Sequence, residues 1–397
     1  MYLSRRVSAI SPSPTLAIDA KAKQMQAEGK DVVNFGVGEP DYDTPAHIKE
    51  SAVKALEAGF TKYTPVAGIP DLKQAIAAKF KRDSGLDYSL NQIVVSVGAK
   101  HALYNAYMAL CDEGDEVIIQ HPCWVSYPEI IRLAGAVPVA ITTDERKGFR
   151  MTAEEIEKRI NPRTRVINLN SPSNPTGVVY PPEELEAIAD VAVRRDLFIV
   201  TDEIYDQLVY DGVKQVSIAS FGPEVKRRTV VINGVSKTYA MTGWRIGWAA
   251  AESELAKAMG DLQGHVTSNP TSLSQKAAVT ALNGPQEPIK AMVEEFKRRR
   301  DYMYARVAAM PGFSCRRPDG AFYLFPGLAG LVGKSVGGRV IRNGDDLSQA
   351  ILEQALVAIV PGSGFGSPQH VRLSYATSME RIKEGLDRIE ALLKGAS

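Results

Sequence analysis

The chain has 397 residues, enough for two domains at roughly 100–200 residues each. Hydrophobic residues make up 45% and charged residues 23%, a globular balance that excludes a disordered chain, a coiled coil and a collagen-like repeat. Lys plus Arg number 47 against 46 Asp plus Glu, and the resulting net charge of +1 offers no electrostatic footprint for nucleic acid or an anionic membrane.

Residues 1–45 read as an irregular, Pro/Ser-rich segment that could pack with either part of the chain. Arg5 and Arg6 are not followed by a long apolar core, so no secretory leader is expected. No apolar run reaches the roughly 18 residues of a membrane helix, and a soluble, cytoplasmic protein is expected. "TPAHIKESAVKALEAG" has helical spacing, with Thr44 as a candidate N-cap ahead of Pro45. The strand "QIVVSVG" and the helix "KHALYNAYMAL" come next, then the pairs "DEVIIQ" and "SYPEIIRLAGA", and "RVINLN" and "PPEELEAIADVAVRRD". "LFIVTD", "RTVVING" and "RIGWAAA" are further short, β-branched apolar runs. Strands of this kind separated by long crossovers predict an α/β protein with a mostly parallel sheet flanked by helices. From about residue 285 the pattern changes to a long charged helix, two strand-like pieces, "GAFYLFP" and "HVRLSYA", and a last helix, "MERIKEGLDRIEALL". This predicts a large domain over 46–284 and a small α+β domain over 285–397. Cys111, Cys123 and Cys315 have no metal or disulfide spacing and read as reduced thiols.

In open parallel sheets, ligands bind beyond the carboxyl ends of the strands. The residues just past each predicted strand are therefore informative. Gly98-Ala99-Lys100 open a helix after the first, and His121-Pro122-Cys123-Trp124 lie past the next. "SPSNPTG", "TDEIY" and "GVSK" end the other three. One rim thus gathers an acid (Asp202), an amide (Asn174), aromatic rings (Trp124, Tyr205), a lysine (Lys237) and a helix start suited to an anion. Singly, each has a plainer role: a cap, a turn residue, a core ring, a solvated charge. Together, with Ser236 beside the lysine and Arg245 further on, they form a parts list for pyridoxal phosphate. A lysine among apolar neighbours is an amine nucleophile toward an aldehyde. A carboxylate suits a pyridinium nitrogen, and arginine and a helix N-terminus suit a phosphate.

"GVSKTYAMTGWRIG" resembles the cofactor-attachment signature of the class I pyridoxal-phosphate aminotransferases. "SPSNPTG", "TDEIYDQLVY" and "HVRLSYA" are similar to that family's other blocks, in its order and spacing. The resemblance runs from about Ser11 to the C-terminal end and is greatest to the prokaryotic-type subgroup acting on aspartate, some of whose members accept prephenate. It implies fold type I: a large domain with a seven-stranded, mostly parallel sheet, a small domain drawn from both chain ends, and a homodimer with shared active sites. Lys237 would bind the cofactor and shuttle the Cα proton, Asp202 would pair with the ring nitrogen, and Tyr205 and Asn174 with the ring's phenolic oxygen. Trp124 would stack on the ring. The backbone amides of Ala99 and Lys100, with Ser236 and Arg245, would hold the phosphate, joined by Tyr63 of a neighbouring subunit. Arg372 would clamp the substrate α-carboxylate, helped by Asn174 and the backbone of Gly38. The Lys100 side chain and Thr15 would meet a distal carboxylate.

The resemblance implies ping-pong transfer of an amino group from aspartate to 2-oxoglutarate. The alternatives are prephenate, aromatic or neutral substrates, or a β-lyase reaction. A dehydrogenase reading fails for want of a G-x-G-x-x-G fingerprint, and an effector-sensing regulator, which needs an attached DNA-binding segment, is not expected.

Overall fold

The computed structural model describes residues 3–12 and 14–396. Its frame is a seven-stranded sheet built from β2 (Ile93–Ser96), β3 (Glu116–His121), β4 (Val137–Thr142), β5 (Thr164–Asn170), β6 (Phe198–Asp202), β7 (Thr229–Gly234) and β8 (Gly247–Ala250), after a short β1 (Val33–Asn34). The order across the sheet is β2-β8-β7-β6-β5-β3-β4. All neighbours run parallel except β8, which is antiparallel to both β2 and β7. Every residue of β2, β7 and β8 is buried, as expected of a sheet covered on both faces. Edge strand β4 keeps only Ile141 fully buried.

Helices start and stop where local chemistry directs. Pro70 and Pro182 occupy first-turn positions, where a missing N–H costs nothing. The helix Pro70–Ser84 ends on Gly85 at φ 69°, a left-handed cap. Thr44 differs from expectation. The helix begins at Ala46 with Pro45 in the cap position, while the Thr44 hydroxyl donates to the Ala240 carbonyl (2.7 Å) and accepts from Trp244 Nε1 (2.9 Å). Tertiary partners capture the hydroxyl that would otherwise cap. The N-terminal stretch is also more regular than its composition predicts, since Pro14–Ala27 is a helix.

A second group of strands lies outside the large sheet: β9 (Tyr323–Leu324), β10 (Ser335–Val336), β11 (Arg339–Val340), β12 (Val357–Ala358), β13 (Val360–Pro361) and β14 (Val371–Ser374). β13, β14 and β9 form an antiparallel sheet, and β1 pairs in parallel with β12. The early segment is thereby stitched to late strands, with Ser374 N also donating to the Phe35 carbonyl at 2.8 Å. Phe296 and Met303 of the long helix Glu287–Ala309 pack with Leu386 and Ile389 of the last helix (Met379–Lys394) in the core of this region. Among the described residues no helix is long and apolar enough to cross a membrane.

Candidate active site

A cleft of about 560 Å³ opens between the carboxyl rim of the large sheet and the segment joining β1 to the later strands. Of the residues predicted for the site, Thr15, Gly38, Ala99, Lys100, Trp124, Asn174, Asp202, Tyr205, Ser236, Lys237, Arg245 and Arg372 all line it. Tyr63 does not. It is 91% exposed, on a segment fastened from behind by two buried glutamines. Gln263 Nε2 donates to the Val66 carbonyl (2.8 Å) and Gln275 Nε2 to Thr64 Oγ1 (3.0 Å).

Asp202 ends β6 and is almost fully buried. One oxygen accepts from Tyr127 Oη (2.8 Å) and the other from the backbone N–H of Ile204 (3.2 Å). Burial lifts its pKa to about 6, and these two hydrogen bonds oppose the rise. Lys237, three residues beyond β7, donates from Nζ to the Gly38 carbonyl at 2.6 Å. Removal from water depresses its amine to about 8. Arg245 and Arg372 push the same way, while Glu39 and Asp202 push back. The expectation for Gly38 is backbone help to a substrate carboxylate; here its carbonyl seats the lysine. The turn carrying Asp202 and Tyr205 is anchored behind the rim by Asp206, which ion-pairs with buried Lys79 and accepts from Asn233 Nδ2 at 3.0 Å.

Ala99 and Lys100, the first two residues of the helix Ala99–Leu110, line the cleft, and N–H groups at such a start have no partner within their own helix. Gly98, at φ 81°, makes room beside it. A Cβ there would lie 2.4 Å from Arg245 Nη2, so the guanidinium lies directly over this turn. Arg245 is itself left-handed at φ 57° and is steadied by Nη1 donating to the Thr242 carbonyl at 2.8 Å. The Lys100 amine sits 4.8 Å from the centre of the Trp124 ring, and burial and Arg245 lower its pKa.

Arg372 lies on β14 and is 1% exposed. Nη1 donates to Asn174 Oδ1 (3.0 Å) and Nη2 to the Gly36 carbonyl (2.7 Å), while Nε is buried without a partner. The ring of Tyr323 lies 4.4 Å from the guanidinium carbon and that of Phe365 lies 5.2 Å from it. Tyr205 Oη and Tyr323 Oη are 2.9 Å apart.

Sequence reasoning passes over Tyr127 and Tyr323. Tyr127 has a signal: it stands three residues after Trp124 at the start of the helix Ser126–Leu133, and the two rings meet edge to face at 5.3 Å. Tyr323 has none, because only the pairing of β9 with β14 brings it beside Arg372.

A depressed lysine amine, a buried acid and an arginine-capped helix start converge on one cleft, as in enzymes that work on amino groups. The sequence agrees over nearly its whole length. The profile described as "Aminotransferase class I and II" matches residues 30–389, and the chain belongs to that family. It is 51% identical to the aspartate aminotransferase of Geobacillus stearothermophilus over 99% of both chains. It is 45% identical to the aspartate/prephenate aminotransferase of Cereibacter sphaeroides over the full length of both. The crystal structure of the aspartate aminotransferase from Rhizobium meliloti superposes with a TM-score of 0.97 at 47% identity, covering all of both chains. The Thermus thermophilus aspartate aminotransferase with maleate gives 0.92 at 42% identity, over 99% of this chain and 100% of that one. The chain is therefore a transaminase of fold type I.

Proposed function

We propose that the chain is a pyridoxal-phosphate enzyme moving the amino group of aspartate to 2-oxoglutarate, and that it works as a cytoplasmic homodimer. One observation carries the substrate reading: the same cleft is lined by Lys237 and by two further cations, buried Arg372 and Lys100. Arg372 suits an α-carboxylate and Lys100 a distal one.

The residues present fit the cofactor. The space over Gly98 that a Cβ would fill is spanned by Arg245, and this cradle, with Ser236 and the amides of Ala99 and Lys100, offers the donors that suit a phosphate. Asp202 would hold a proton on the ring nitrogen by charge, kept in place by Tyr127. Tyr205 and Asn174 would donate to the ring oxygen, and Trp124 would cover the ring face. When bound, the cofactor draws electrons from the substrate Cα. Lys237 Nζ, depressed to about 8, takes the Cα proton as a neutral amine and returns it. Arg372 orients the substrate through the N–H bonds of Nη1 and Nη2 that Asn174 and Gly36 leave free. Tyr63, exposed in a single chain, would reach the phosphate of a second copy.

A second reading, prephenate or aromatic partners, is favoured by one feature. Beyond Lys100 lies another cavity of about 510 Å³, lined by Ile10, Pro12, Val125, Phe365 and Arg132, with room for a ring. The test is to mix cofactor-loaded protein with aspartate, glutamate, alanine, phenylalanine or arogenate and to measure the 2-oxo acid formed in a single half-reaction. Aspartate and glutamate should react fastest. A preference for alanine or phenylalanine would overturn the acidic reading.

A further inference from the structure

Arg372 is a buried cation with an unusual environment. Among the described residues its hydrogen-bond partners are an amide and a backbone carbonyl and no carboxylate pairs with it, and burial pulls its pKa below the ordinary value. Two neutral oxygens and two ring faces hold it. With so few dipoles opposing its desolvation, the aim of each one matters.

The Gly36 carbonyl, 336 positions away in the chain, is one of those dipoles. The peptide just before it, Phe35–Gly36, is held by Asn34, whose Oδ1 accepts from Gly36 N–H at 2.8 Å, so the Cα that carries the carbonyl is fixed from its N-terminal side. Asn34 Nδ2 donates in turn to Asp19 Oδ1 at 2.8 Å. The orientation of this amide is chemically determined: a carboxylate only accepts and an N–H only donates, so the oxygen must face Gly36. Gly36 is also wedged. A Cβ there would lie 3.1 Å from Asn34 Oδ1 and 3.5 Å from both Ile18 and Val360. Asp19 stands on the helix Pro14–Ala27, one turn after Thr15 on the cleft wall. A continuous set of hydrogen bonds therefore runs from that helix through Asn34 and Gly36 to the guanidinium.

We infer that Asn34 is a positioning residue for carboxylate recognition: it aims the Gly36 carbonyl that orients Arg372 and, through Asp19, ties that aim to the seat of the helix bearing Thr15. The inference rests on the reading of Arg372 as the carboxylate clamp. It makes substrate affinity, rather than proton transfer at Lys237, the property Asn34 controls.

The test uses cofactor-loaded protein and succinate, a dicarboxylate with no amino group to react. Asn34→Ala removes both links and should raise the succinate Kd and the aspartate KM about tenfold, with kcat within threefold of the parent. Asn34→Asp keeps an acceptor for Gly36 but sets a carboxylate against Asp19, and should raise Kd several-fold. Adding Asp19→Asn to it exchanges donor and acceptor across the same contact and should restore Kd to within twofold. Arg372→Lys serves as the reference and should raise Kd more than a hundredfold. An unchanged Kd in Asn34→Ala alongside a large loss in Arg372→Lys would overturn the inference. So would a fall in kcat at constant Kd, or a lowered melting temperature as the sole effect. No change in Arg372→Lys would instead overturn the clamp reading. Should Asn34→Ala fail to fold, the Asn34→Asp variant and its Asp19→Asn partner decide alone, and no recovery in the pair overturns the inference.

Discussion

Asp202 and Lys237 on one wall of the cleft and Arg372 on the other put burial to opposite use. On the sheet rim, loss of water moves Asp202 up to about 6 and Lys237 down to about 8, so both groups change charge near neutral pH. On the facing wall the same loss of water acts on Arg372, whose guanidinium keeps its proton throughout. Burial thus makes exchangeable protons on one side and a fixed charge on the other. The rim is suited to chemistry and the facing wall to holding the substrate still.

Five experiments would break or sharpen this division. Lys237→Ala should have the largest effect, a loss of turnover of roughly a thousandfold or more, since the Cα proton loses its base. In the parent chain without cofactor, Lys237 should become reactive to an amine-labelling reagent as pH rises through about 8, because burial disfavours the charged form. Peptide mapping that finds the midpoint near 10.5 would show the rim to be wetter than the structure has it. Asp202→Asn comes next, on the order of a hundredfold in kcat with smaller loss of cofactor affinity, as an amide cannot hold a ring proton by charge. Retained turnover would remove the acid from its assigned role. Lys100→Ala should lower kcat/KM for aspartate by about ten- to a hundredfold, the worth of a charge-assisted bond of roughly 1.5–3 kcal/mol. Alanine should be nearly unaffected, and equal losses would show Lys100 to shape only the loop. Thr44→Val, outside both walls, should be the smallest: about 1 kcal/mol of stability, read as a slightly lower melting temperature with kinetics unchanged.

The two walls are also unequally legible. The rim can be read because each of its groups lies within a few residues of a strand end, and strand ends of a parallel sheet converge by geometry. Asp202, Lys237 and Trp124 are of this kind. The facing wall depends on contacts between distant segments. Arg372 and its partner Asn174 enter through matched blocks of sequence, but two further partners, Gly36 by backbone and Tyr323 by strand pairing, carry no local mark. In the fold, β4 escapes a reading by apolar runs because an edge strand exposes much of its alternating surface, and the helix Pro14–Ala27 is hidden by the Pro/Ser composition around its start. The place of β8 between β2 and β7 is equally out of reach, since its partner β2 precedes it by about 150 residues.

That antiparallel strand carries a further consequence at its first residue. A methyl group on Gly247 would fall 2.2 Å from the Ala99 nitrogen, inside the turn that presents its amide to the cleft. The Gly98 carbonyl carbon and Ala99 Cα would lie within 2.8 Å of it as well, so a Gly247→Ala chain can form only by pushing the Gly98–Ala99 turn off β8, which costs stability and displaces the helix start that faces an anion. A single methyl would thus strike the packing of the sheet and its use together, and a survey of functional variants should find position 247 far less variable than the rest of its strand.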